Sequence, residues 1–118
     1  MRLRTNKYKL GLSPSHRAAM LKNLAVEVIE HGMIKTTHAR CMAVKPFVEK
    51  LVTIAKEDTV ANRRLAFSKL NNKNAVAVLF SVVGPKFKTR NGGYTRVIKS
   101  SDARVGDGAS LSYISFVE

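Results

Sequence analysis

Acidic side chains are scarce in this chain. Only 8 Asp and Glu stand against 21 Lys and Arg, a formal net charge of +13 over 118 residues. The first 26 residues hold no acid at all, yet they carry Arg2, Arg4, Lys7, Lys9, Arg17 and Lys22. A compact protein so unbalanced repels itself. The imbalance makes physical sense when a polyanion lies against it, because phosphates neutralise Lys and Arg and release their own counterions. Cysteine is nearly absent: the single Cys41 excludes an internal disulfide and fits a reducing compartment. No apolar run approaches the roughly 20 residues of a membrane span, and the N-terminus lacks the apolar stretch of a secretory signal. The expected location is the cytoplasm, with no membrane partner.

The usual signatures of catalysis are also missing. There is no P-loop and no dinucleotide-binding glycine pattern, since Gly92-Gly93 lacks the residues that would surround either. His31, His38 and Cys41 invite a metal reading, but their spacing offers no fourth ligand, and structural zinc sites need four. A capping region with a buried or half-buried cysteine explains them better. Asp102 and Asp107 share a glycine-containing loop, where carboxylates are more often turn formers than magnesium ligands. Ser13, Ser15 and His16 resemble a nucleophile and base only superficially: neighbouring positions on a helix do not face one another, and no orienting acid is near. No cofactor, metal or small-molecule substrate is expected, and the chain does not read as an enzyme.

What is present suffices for one core. An apolar share of 45% is ordinary for a globular protein of this length. Residues 1–12 (MRLRTNKYKLGL) read as an extended basic arm. Residues 13–118 read as a single α+β domain of about four helices and about three strands. Ser13-Pro14 starts the first helix, over 14–31, with apolar Leu21, Leu24, Ala25, Val28 and Ile29 on one stripe and Gly32 as its stop. Its charge order is inverted: His16, Arg17 and Lys22 come early, Glu27 and Glu30 late, against the macrodipole. A phosphate at the helix start would convert Arg17 and the free amides into a joint anion site. Met33–Thr37 is a short extended segment. A second helix over 38–56 carries Val44, Phe47, Val48, Leu51, Val52 and Ala55; Pro46 either kinks it or separates a preceding turn. A third helix, 59–70, places Arg63 and Arg64 outside and Leu65, Ala66 and Leu70 inside. A fourth, 73–83, buries Val76, Leu79, Phe80 and Val83 and stops at Gly84-Pro85. Residues 94–100 and 111–117 are rich in aromatic and β-branched side chains and read as strands.

The loop before them is the most suggestive segment. KFKTRNGGYTR interleaves Lys86, Lys88, Arg90 and Arg96 with Phe87 and Tyr94. Arginine grips phosphate bidentately, tyrosine stacks on a base or bonds to the backbone, and Asn91-Gly92-Gly93 lets main-chain amides approach closely. A charged hairpin edge that resists aggregation is the plain alternative. The expected RNA contacts are therefore Arg2, Arg4, Lys7 and Lys9 on the arm, and Ser15, His16, Arg17 and Lys22 on the first helix. Surface cations Arg40 and Arg64 join them, with Lys86, Lys88, Arg90, Asn91, Gly92, Tyr94, Arg96 and Arg104 from the basic loop onward. A free-standing DNA-binding, nucleoid-type protein is the alternative function. It is weakened by the lack of a basic recognition helix and of dimer signals.

Four blocks carry a family likeness: KLGLSPSHRAAMLKNLA (9–25), IKTTHARCMAVKPFVEKLVTIAK (34–56), RNGGYTRVIK (90–99) and RVGDGASLSYISFVE (104–118). They resemble bacterial large-subunit ribosomal protein seventeen, in the family's order and over nearly the whole chain. The arm is less rich in Arg and His than the family's usually is, and His38-Ala39 stands where the family often has Leu-Pro. The resemblance implies a non-catalytic constituent of the large ribosomal subunit. Its implied partners are 23S ribosomal RNA and neighbouring large-subunit proteins.

Overall fold

A computed structural model of the chain describes residues 13–106 and 108–117. The expected arm contacts Arg2, Arg4, Lys7 and Lys9 lie outside the described residues, as do Asp107 and the side chain of Asp102. Helix α1 spans Pro14–His31. The Ser13 hydroxyl accepts from the His16 amide at 3.3 Å, and Gly32 closes the helix at φ +81°, a conformation that favours glycine. Strand β1, Met33–Thr37, leads directly into helix α2, His38–Ala55, capped by Thr37. Pro46 sits on an exposed face and α2 continues through it as one element, which settles the alternative left open by the sequence.

Helix α3, Val60–Leu70, is capped by Thr59 and ends at Asn71, which takes the left-handed conformation. The Asn62 amide donates to the carbonyls of Ile54 and Glu57 and ties α3 to the end of α2. Ala66 and Leu70 face inward as expected, but Leu65 is 44% exposed. Ala66 and Leu70, four apart, define the buried side, and an adjacent position cannot share it.

Helix α4, Lys73–Val78, is capped by Asn72 and continues as a π-helical segment, Leu79–Val83, then a last α turn, Gly84–Lys86. This corrects the expected stop at Gly84-Pro85. Gly84 is helical (φ −55°) and serves close packing instead, because a Cβ there would lie 2.3 Å from the Ala55 carbonyl oxygen. Pro85 is tolerated because it opens the resumed α turn. Val76, Leu79, Phe80 and Val83 are buried as expected.

Strands β2, Thr95–Ala103, and β3, Ser110–Phe116, complete an antiparallel sheet in the order β1-β3-β2. Ile114 pairs with Ile34 on one side and Val97 on the other, and the β2–β3 register shifts between Lys99 and Ala103. Helix α2 packs across all three strands, while α1, α3 and the fourth helix pack around it. Leu51, Val52, Leu79 and Ile114 form the fully buried centre. Four helices on a three-stranded antiparallel sheet make the α+β fold expected from the sequence.

Candidate nucleic-acid interface

Between the last helical turn and β2 the chain runs through the basic segment, and two aromatic rings anchor its ends. Phe87 is 2% exposed and Tyr94 3%. Their ring centroids are 5.4 Å apart, and Phe87 also packs on Phe116 at 5.8 Å. Such tilted pairs add to the stabilisation from burying large apolar surface. The Tyr94 ring therefore has no open face for a base, which corrects the stacking role read from the sequence. Tyrosine is here part of the support that carries the loop.

Helix α2 clamps that support through two charged side chains. The Lys56 ammonium donates to the Arg90 carbonyl and, at 2.9 Å, to the Tyr94 hydroxyl; it also lies 5.1 Å from the Tyr94 ring centroid. The hydrogen bond from Lys56, and then that from Thr53, hold the Tyr94 pKa below the ordinary phenol range. At the next residue, a Glu49 carboxylate oxygen accepts from the Thr95 hydroxyl at 2.7 Å and from its amide at 3.2 Å. The C-terminal end of the sheet closes the other side, where the Val117 amide donates to the Tyr94 carbonyl at 2.9 Å. Neither Glu49 nor Lys56 was singled out from the sequence. The available signal was a Glu and a Lys seven residues apart, bordering the apolar stripe of α2.

On this base the cations face outward. Lys86, Lys88, Arg90 and Arg96 are exposed. Lys86 lies 5.3 Å from the Phe87 ring centroid, and the Arg90 guanidinium donates to the Gly92 carbonyl. Gly92 and Gly93, at φ +107° and +63°, make the reversal that returns the chain toward β2. Arg90 and Arg96 line one polar cavity of about 370 Å³, walled by Ser115, Phe116 and Val117, and among the described residues no acidic one lines it. Two arginines beside a polar recess that no carboxylate of the described residues lines can grip a phosphate.

The other expected contacts fall in separate places. Ser15 and Lys22 line a broad groove of about 740 Å³ between α1 and the Asn71-Asn72 turn. His16 is exposed and Arg17 half-buried at the start of α1; Arg40 is exposed in the first turn of α2. Arg104 and the exposed Asn91 stand at opposite ends of β2. Arg64 lies instead on an apolar groove between α3 and α4. His38 donates to or accepts from Ser112 across 2.8 Å, and Cys41 is fully buried, its thiol 3.5 Å from the Ser112 carbonyl. Burial raises the Cys41 pKa and keeps the thiol protonated. Among the described residues no three His, Cys, Asp or Glu side chains are grouped to hold a metal ion, and no helix is long and apolar enough to cross a membrane.

The fold and this loop define a small α+β scaffold that projects cations from a rigid base. Residues 20–117 match the family model described as Ribosomal protein L17, and the chain belongs to that family of large-subunit ribosomal proteins. It is thereby a component of the ribonucleoprotein particle that carries out translation.

Proposed function

We propose that the chain is a structural, non-catalytic constituent of the cytoplasmic ribosome. It binds 23S ribosomal RNA, contacts neighbouring large-subunit proteins and supports assembly of the subunit. The placement of Arg90 and Arg96 around one recess, lined by no acid among the described residues, carries this reading. A phosphodiester entering the recess exchanges its counterions for the two arginines that line it. The exposed Lys86 and Lys88 and the α1 group Ser15, His16, Arg17 and Lys22 extend the cationic surface. The arm cations Arg2, Arg4, Lys7 and Lys9 add further charge. Recognition on this reading follows RNA shape and backbone position rather than base identity, since the loop offers no open aromatic face.

The test is a salt titration of binding to large-subunit RNA fragments, with duplex DNA as competitor. Contact with about six phosphates gives a log–log slope near −4 to −5. A flat salt response, or displacement by duplex DNA as effective as by RNA, would overturn the proposal. Sedimentation of cell lysate checks it independently: the chain should travel with the large subunit in moderate salt.

A further inference from the structure

The apolar groove between α3 and α4 is unlike the rest of the surface. Val60 and Phe67 on α3 and Val76 and Ala77 on α4 line it, in a volume of about 380 Å³. Val60 is 66% exposed and Phe67 40%. Val60, Arg64 and Phe67 recur at four and three residues, so α3 carries a second stripe beside the one it buries through Ala66 and Leu70. Cations rim the groove. Arg63 is committed: it holds Asp58 through two hydrogen bonds, at 2.5 and 2.8 Å, and lies 5.2 Å from the Phe80 ring centroid. Arg64 and Lys73 have no acidic partner among the described residues. Exposed apolar clefts with a polar rim mark sites of association.

We infer that this groove is a docking site for an amphipathic helix of another protein, with apolar side chains on its inner face and Asp or Glu along its flanks. The chemistry of the two parts selects that occupant. An apolar floor bounded by side chains of two helices takes the ridge of a third helix, read as anchors at i, i+3 or i+4, and i+7. Arg64 and Lys73 select carboxylates beside that ridge. The chain's own N-terminal arm does not fit, because residues 1–12 bring four cations and no acid. A second copy does not fit either, since it would bring another net +13 against the same rim. Nucleic acid would satisfy the cations but leave Val60 and Phe67 wet.

The inference does not depend on the RNA-binding reading, and its test keeps the two apart. A photo-crosslinking phenylalanine analogue replaces Phe67 in the full-length chain in cells. Large subunits and free chain are recovered, and the crosslinked segments are sequenced. The expected product is a peptide of a different protein with helical apolar spacing and flanking Asp or Glu. Lys73→Glu and Lys73→Asp should each lower its yield at least fivefold, while affinity for a phosphate probe at the Arg90–Arg96 recess is unchanged. Crosslinks to RNA, to residues 1–12, to a second copy or to a basic segment would each overturn the inference. So would an absence of crosslinks, or a yield indifferent to the charge reversals.

Discussion

Two concave regions of this molecule have opposite chemistry. The recess at the end of the sheet is polar, lined by Arg90, Arg96 and Ser115, and its cations stand on buried aromatic rings. The groove between α3 and α4 has an apolar floor and keeps its cations on the rim. Positive charge alone does not distinguish them, since both carry arginine. The difference lies in what lies beneath the charge. Under Arg90 the aromatic surface is already used, Phe87 against Tyr94 and Phe116, so the region has only electrostatics left to offer. Under Arg64 the aromatic Phe67 is still partly open to solvent.

That contrast is open to direct attack. The largest effect is expected from removing both arginines of the recess. Arg90→Ala with Arg96→Ala should weaken binding to large-subunit RNA about 100-fold or more, from roughly 1.5–3 kcal/mol per charged hydrogen bond and 1.4 kcal/mol per tenfold. The salt slope should become shallower by about 1.4–1.8, from roughly 0.7–0.9 per phosphate contact. Filter binding across a salt series reads both, and an unchanged slope would remove these residues from the contact set. Next comes a pair of phenylalanines. Phe87→Ala should cost roughly 3–5 kcal/mol in urea unfolding as a core truncation, whereas Phe67→Ala should stay within about 0.5 kcal/mol as a surface change. Equal costs would mean that the two regions do not differ in the way described. Gly84→Ala should cost roughly 1–3 kcal/mol as overpacking, because the added methyl meets the Ala55 carbonyl.

The smallest change should be the most specific. Lys56→Met should weaken RNA binding by about tenfold, the size of one charge-assisted hydrogen bond, with no change in salt slope, because the Lys56 ammonium is engaged by the Arg90 carbonyl and the Tyr94 hydroxyl. Its second readout is the ionisation of Tyr94. The phenol pKa is lowered in the folded protein by Lys56, then Thr53. Below the folded value the phenol is protonated both folded and unfolded, so the shift contributes nothing there. As pH rises through the folded value toward the unfolded one, near 10, the folded state gains stability. As pH falls back through the folded value, that gain is lost. In ultraviolet titration of the native protein one tyrosine should ionise early, and in Lys56→Met this early phase should move up. An early phase that persists would assign the shift to another group.

Much of the fold was legible because local signals agreed with one another. Ser13-Pro14 and Gly32 bracket α1 by cap chemistry alone, and the apolar spacing of α2 names its buried face. The failures came where tertiary contact overrode local grammar. Gly84-Pro85 has the form of a helix stop, yet the glycine is there to admit the Ala55 carbonyl, a contact invisible along the chain. Leu65 reads as core by hydrophobicity and lies outside by phase. Tyr94 stands among cations and reads as a base-stacking residue, but only the three-dimensional approach of Phe87 and Lys56 shows that its ring is enclosed. The basic loop was visible as composition; the recess within it was not, because Ser115 and Val117 arrive from a strand distant in sequence.

The order of the strands bears on how such a chain is made. β3 lies between β1 and β2, and among the described residues neither of those pairs with anything else. A growing polypeptide releases β1 well before β3 and β2 just before it, and chains tend to fold from the N-terminus as they emerge. Helical contacts can form early, but the sheet must wait for Ser110–Phe116 to be threaded between two waiting edges. The Ser115–Val117 wall of the arginine recess is delivered in the same step. Synthesis therefore imposes a delay, and a partly made chain, although rich in positive charge, does not yet possess its recess.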